Sequence, residues 1–200
     1  MNILVLGATG TIGTPLTQRL HDDGHTVTAW SRRTHGDLST QLIPLDMVEG
    51  TELIIDVTDA KRRSSMLPTM ATSVVSSVHR AAVTPRILCL GILNQDKSTF
   101  SYYKHKQQQH QVYASSGLPY TAVRCTQFTT FLTSLFDAAT PTGLIPLPTG
   151  ARWQLIDPRD VATQLACLIR CVDPRWTRNP DITRGCRAVS HSTRKQAHPC

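Results

Sequence analysis

The chain has 200 residues, 40% of them apolar, and a formal charge of +7. That length suits one domain with a substantial core, and no run reaches the ~18 apolar residues of a membrane-spanning helix. The charge gives no sign of a nucleic-acid partner, because six basic residues against two aspartates beyond residue 172 account for +4 of it.

Ile3 to Leu6 is a short apolar run that ends at Gly7. Gly10 and Gly13 follow at three-residue spacing, and a helical pattern then begins with Ile12, Leu16 and Leu20 on one face. This is the pattern of a buried strand, a tight turn and a helix N-terminus. Gly7 allows the sharp turn, Gly10 leaves room for a pyrophosphate against backbone, and Gly13 lets the helix pack closely. Thr9, Thr11 and Ile12 complete the expected phosphate-binding turn, at the positive end of the helix. Pro15 is tolerated in the first turn and Gly24 stops the helix.

Thr26 to Trp30 reads as the second strand. An acidic residue after it would select NAD, and an arginine accommodates the 2′-phosphate of NADP. Here the residues are Ser31-Arg32-Arg33, so the sequence favours NADP(H) over NAD(H), with Arg32 the better candidate. Gly36 to Leu38 is a candidate vestigial strand, and Leu42 to Val48 a short helix. Leu53 to Val57 is a buried strand, with Thr58 and Asp59 at its C-terminal end, where open α/β sheets bind ligand. A helix is expected over Ser64 to Ala82, its Met66, Met70, Val74 and Val78 facing the core.

A strand follows over Arg86 to Gly91. A polar helix spans Tyr102 to Ser115, and a further strand Tyr120 to Arg124. Then come a helix over Thr129 to Ala138 and a Pro/Gly-rich loop over Pro141 to Gly150. Asp157 caps a last helix with Pro158 in its first position. Strands that are apolar throughout, alternating with helices, imply a doubly wound parallel sheet. The domain is expected over residues 1–172 and a basic, disordered tail over 173–200. The tail's Cys186, His191, His198 and Cys200 match no zinc spacing, and the six cysteines form no disulfide framework. Met1 leads straight into a strand with no leader, so a cytoplasmic location is expected.

Tyr102 and Lys106 stand at i and i+4 on one helix face. An ammonium beside a phenol favours the phenolate and lowers its pKa, and a lysine can also hold a nicotinamide ribose. The pair is therefore the candidate proton donor beside a hydride carrier.

Gly7-Ala8-Thr9-Gly10-Thr11-Ile12-Gly13, Tyr102-Tyr103-Lys104-His105-Lys106 and Ser116-Gly117-Leu118-Pro119-Tyr120-Thr121-Ala122-Val123-Arg124 with Gln127-Phe128 together resemble the atypical short-chain dehydrogenase/reductases, within them the NmrA-like group. The resemblance covers roughly residues 1–170. It implies a Rossmann-type fold, an NAD(P)H cofactor, a cytoplasmic location and, in many members, reduction of a carbonyl or quinone-type small molecule. Others in the group are non-catalytic redox sensors. Two departures stand out. Gly91 falls where catalytic members place a serine, and the elements that complete the substrate lobe are replaced by the basic tail, so that lobe reads as incomplete.

Overall fold

The computed structural model describes residues 1–130 and 154–171. The strands and helices are β1 Asn2–Leu6, α1 Gly13–Asp22, β2 Thr26–Trp30, α2 Leu45–Val48, β3 Leu53–Asp56, α3 Leu67–Arg80, β4 Arg86–Ile92, α4 Ser101–Ser115, β5 Tyr120–Cys125, β6 Gln127–Phe128, β7 Leu155–Ile156 and α5 Pro158–Cys171. Five strands form one parallel sheet in the order β2-β1-β3-β4-β5, and β6 pairs with β7 beside it.

Burial on both faces explains why the strands are apolar throughout. Successive side chains of a strand point to opposite faces. Ile3, Val5 and Ile55 join one core layer with Leu16 and Leu20 of α1 and Val161 and Leu165 of α5. Leu4, Leu6 and Ile54 join the other with Leu67, Val74 and Val78 of α3 and Tyr113 of α4. Met70 belongs to this second layer and Met66 packs against it, as the four-residue spacing implies.

The chain order reverses at β1, which has β2 on one side and β3 on the other. A crevice opens at such a switch point outside the C-terminal ends of the strands, and ligands bind there in open α/β sheets. The glycine turn after β1, Ser31 after β2 and Thr58 after β3 all leave the sheet at this end.

Three expectations change. No strand forms over Gly36–Leu38. Asp37 holds the segment in a turn instead: one carboxylate oxygen accepts the Ser39 N–H at 2.9 Å and the Ser39 hydroxyl at 2.7 Å, and the other accepts from the Arg63 guanidinium at 3.0 Å. The helix expected from Leu42 shortens to α2, since Pro44 supplies its boundary with extended backbone (ψ 144°). The helix expected from Ser64 is two pieces, a 3₁₀ stretch Lys61–Met66 with non-helical Arg63 and then α3. Pro68 sits in the first turn of α3, the helical position proline tolerates.

Asp157 caps α5 as expected, accepting the Arg159 N–H at 2.7 Å. Past residue 130, the expected 129–138 helix lies outside the described residues, as do the 141–150 loop and everything from 172 onward, including the four metal-candidate residues.

Candidate dinucleotide and reaction site

Each glycine of the turn is required by space or backbone. Gly7 has φ +83°, and a Cβ there would stand 3.0 Å from the Val57 carbonyl oxygen and 3.1 Å from Thr58 N. A Cβ on Gly13 would overlap the Gly7 carbonyl oxygen and lie 2.7 Å from Ala8 Cα, so α1 starts pressed against the turn. Gly10 donates its N–H to Gly7 O at 2.9 Å and closes the loop. Thr9, Gly10 and Thr11 are exposed, whereas Ile12 buries its side chain and has only backbone to offer. Among the described residues, no side chain caps α1. Thr14 N–H donates to Gly10 O at 3.1 Å, which leaves the N–H groups of the turn just before it, at Thr11, Ile12 and Gly13, for an outside acceptor at the positive end of the helix.

The turn is tied directly to the end of β2. The N–H groups of Gly7 and Ala8 both donate to Trp30 O at 3.0 Å. Immediately beyond, Ser31 is buried, and its hydroxyl is paired with Thr34 Oγ1 at 3.0 Å and accepts the Thr34 N–H at 3.3 Å. Ser31 therefore shapes the turn. Arg32 and Arg33 are exposed, and neither is in the ion pairs among the described residues, Arg19–Asp23 and Arg63–Asp37.

At the C-terminal end of β3 the polar side of α4 turns inward. Asp56, 1% exposed, ends an otherwise apolar strand. One of its oxygens accepts the Thr58 N–H at 2.9 Å and the Thr58 hydroxyl at 2.6 Å. The other accepts Gln109 Nε2 at 2.8 Å and the Tyr113 hydroxyl at 2.6 Å. Lys106 is buried beside this group and donates to the carbonyls of Thr58 at 2.9 Å and Leu90 at 3.3 Å and to Gln109 Oε1 at 3.0 Å.

Tyr102 is not paired with Lys106. Its hydroxyl donates to Asp59 Oδ1 at 3.0 Å. Burial first, and then the Asp59 carboxylate, push its pKa well above the ordinary phenol range. The lowering expected from the i, i+4 lysine is therefore reversed, because the ammonium is spent on backbone carbonyls and a carboxylate occupies the phenol's other side.

Gly91 lies near the end of β4. A Cβ there would overlap His110 Nε2 and stand 2.9 Å from Gln95 Oε1. The space of a residue-91 side chain is filled by an imidazole from α4. His110 is buried, lies 3.8 Å from Cys89 Sγ and pairs through Nδ1 with the Tyr120 hydroxyl. Burial, then Lys106 and Arg124, lower its pKa from 6.5 to about 3, so it is neutral at ordinary pH. The next polar side chains after Gly91 able to replace a serine do not do so: Asn94 is exposed in a turn, and Ser98 Oγ accepts the Phe100 N–H at 3.3 Å.

Asp56, Gln109 and Tyr113 escaped the sequence reading. Their signal was present as a carboxylate in an apolar strand and as Lys106, Gln109 and Tyr113 at three- and four-residue steps, one face of a helix otherwise judged polar.

A glycine turn at the switch point of a parallel sheet defines a Rossmann-type domain. Residues 3–87 match the sequence model of the NAD dependent epimerase/dehydratase family. No curated protein matches the chain. Among solved structures, triphenylmethane reductase of Citrobacter sp. complexed with NADP(H) is 18% identical, with TM-score 0.65 over 86% of this chain and 67% of that one. The NADPH-dependent quinone oxidoreductase of Escherichia coli complexed with NADPH is 17% identical, with TM-score 0.65 over 86% and 66%. The Bordetella bronchiseptica enzyme WbmH, in complex with NAD+, is 13% identical, with TM-score 0.66 over 86% and 73%. The chain thus spans about two thirds of the length of the first of these, the family model covers less than half of this chain, and the expected Rossmann-type fold is borne out. Among the described residues, no helix is long and apolar enough to cross a membrane.

Proposed function

We propose that the chain binds NADPH at the switch-point crevice and reduces a carbonyl or quinone-type small molecule. The observation that carries the cofactor half is the junction of the glycine turn with β2. The uncapped start of α1 and two exposed guanidiniums, Arg32 and Arg33, stand on segments joined through Trp30 O. The residues fit the cofactor: the closely packed glycines leave backbone N–H groups open to a pyrophosphate, and the guanidiniums suit a 2′-phosphate.

NADPH bound there supplies a hydride from its nicotinamide. Thr9, Thr11, Ile12 and Gly13 would hold the diphosphate through backbone N–H groups. Gly7 and Gly10, whose N–H groups are taken by Trp30 O and Gly7 O, give the turn its shape. Arg32 and Arg33 would hold the 2′-phosphate, with Ser31 shaping their turn. Thr58 and Lys106 lie where the strand ends meet the ribose side of the crevice. Tyr102 holds the proton for the reduced oxygen, and its raised pKa keeps that proton in place until negative charge develops on the acceptor.

A second reading rests on Gly91. With His110 in the residue-91 space, no hydroxyl stands there to orient an acceptor, which favours an NADPH-binding sensor that does not turn over. One experiment separates the two. NADPH is titrated by its fluorescence, and its oxidation is then followed with a series of quinones. Reduction of a quinone supports the enzyme, binding without oxidation of any acceptor supports the sensor, and absence of binding refutes both.

A further inference from the structure

We propose that Asp56 and Gln109 are positioning residues that fix the direction of the Lys106 ammonium at the ends of β3 and β4. The purpose assigned to that ammonium, facing the cofactor's ribose, rests on the function proposed above; its fixed direction does not.

An ammonium has three protons and no acceptor. All three of Lys106's are directed to protein oxygens, on Thr58, Leu90 and Gln109. The first two are backbone carbonyls of the sheet ends. The third is a side-chain amide, which could equally present its NH₂. Asp56 decides which way that amide faces. Gln109 Nε2 donates to Asp56 Oδ2 at 2.8 Å and to Thr58 Oγ1 at 3.1 Å, and this turns Oε1 onto Lys106. The flipped amide would set donors against an ammonium and an acceptor against a carboxylate. Asp56 is itself held by Thr58 and Tyr113, so it cannot turn away. A buried carboxylate and a buried ammonium are thus linked through one neutral amide, and every partner is satisfied. The Leu90 bond is the longest of Lys106's three at 3.3 Å.

Gln109→Glu tests this with a pH signature that loss of packing cannot imitate. While protonated, the introduced carboxyl reproduces the amide, its hydroxyl donating to Asp56 and its carbonyl accepting from Lys106. Once ionised, it faces Asp56 with like charge. The titratable groups around this site are Asp56 from β3, Cys89 from β4, and Lys106, His110 and Tyr113 from α4. His110 stays neutral with its pKa at about 3, and burial raises Cys89 and Tyr113 well above their usual values. Burial and Asp56 raise the pKa of the introduced carboxyl and the Lys106 ammonium opposes them.

Unfolding of Gln109→Glu is expected to match wild type near about pH 5.5 and to become easier towards about pH 8, and its NADPH dissociation constant to rise about tenfold over that range, the equivalent of one hydrogen bond to a charged group. Wild type and variant share the loss that His110 causes below about pH 6.5, so the quantity compared is the difference between them at each pH. Gln109→Met, which lacks both amide functions, is weakened equally at every pH. If Gln109→Glu parallels wild type in both measurements, or Gln109→Met keeps full NADPH affinity, the proposal is overturned. If wild type binds no NADPH, the cofactor reading falls, and the pH dependence of Gln109→Glu unfolding alone decides the proposal.

Discussion

Arg32 and Tyr102 carry the two halves of the proposed chemistry, and each has a partner whose removal is informative. Arg32 is exposed just past the Trp30 carbonyl that anchors the glycine turn. A guanidinium on a phosphate makes charge-assisted hydrogen bonds, so Arg32→Ala is expected to weaken NADPH about tenfold, as loss of one such bond would. NADH, which lacks the 2′-phosphate, is expected to bind as before. Fluorescence titration of both dinucleotides checks this, and equal loss for the two would refute the assignment. Tyr102→Phe removes the proposed proton donor and is expected to lower kcat roughly a hundredfold. Asp59→Asn tests its environment. The Asp59 carboxylate helps hold the phenol proton on, so its neutralisation moves the Tyr102 pKa down towards the usual value. Burial, the larger cause, is untouched, so the phenol stays protonated through the ordinary pH range in both proteins. Asp59→Asn is therefore expected to keep a flat kcat–pH profile up to about pH 9, and a profile that falls there would show that burial does not hold the proton on Tyr102.

Helix α4 is the element on which the sequence and the structure part most. Its Tyr102 and Lys106 were legible because their spacing puts them on one face, and the helix does present both to the strand ends. What each touches was not legible. The partners come from β3 and β4, at separations such as the 57 residues between Asp56 and Tyr113, and local spacing says nothing about contacts of that range. The shape of the glycine turn was legible, because the Gly7, Gly10 and Gly13 spacing is local, while the contacts that also confine Gly7, with Trp30, Val57 and Thr58, were not. Gly91 shows the limit most clearly. Its missing side chain was visible in the sequence, while the reason for it, an imidazole packed from α4, was not. That reason gives a prediction at the level of the α4–β4 contact. Restoring the hydroxyl by Gly91→Ser forces its Cβ into His110, an overpacking that costs about 1–3 kcal/mol and lowers the melting temperature by several degrees. Combining it with His110→Ala should recover part of the loss, since residues in contact are not additive. Thermal unfolding of the two single variants and the double variant measures this, and a fully additive double variant would mean that the contact is not the cause.

For the whole molecule, the buried polar residues make stability depend on pH in a stated direction. The sheet core is apolar, yet its α4 side encloses Asp56, Lys106, Gln109 and His110. The Asp56, Gln109 and Lys106 linkage leaves no partner unsatisfied. His110 is different, because among the described residues it has no acidic partner. Burial lowers its pKa most, and the positive charges of Lys106 and Arg124 lower it further, from 6.5 to about 3. Between those values the unfolded chain binds a proton that the folded chain excludes, so stability falls as pH falls. The contribution is fully present above about pH 6.5 and declines towards pH 3, with a slope of up to about 1.4 kcal/mol per unit for a single proton. By pH 5 the loss is about 2 kcal/mol, a large share of the stability of a domain this size. Replacing the imidazole removes that proton from the balance. Denaturant unfolding of wild type and His110→Gln at pH 7, 6 and 5 should therefore give curves that converge as the pH falls, whatever offset the lost packing introduces at pH 7. Curves that stay parallel would mean that His110 takes up its proton in the folded state as readily as in the unfolded one, and that the cluster around Lys106 admits a second positive charge.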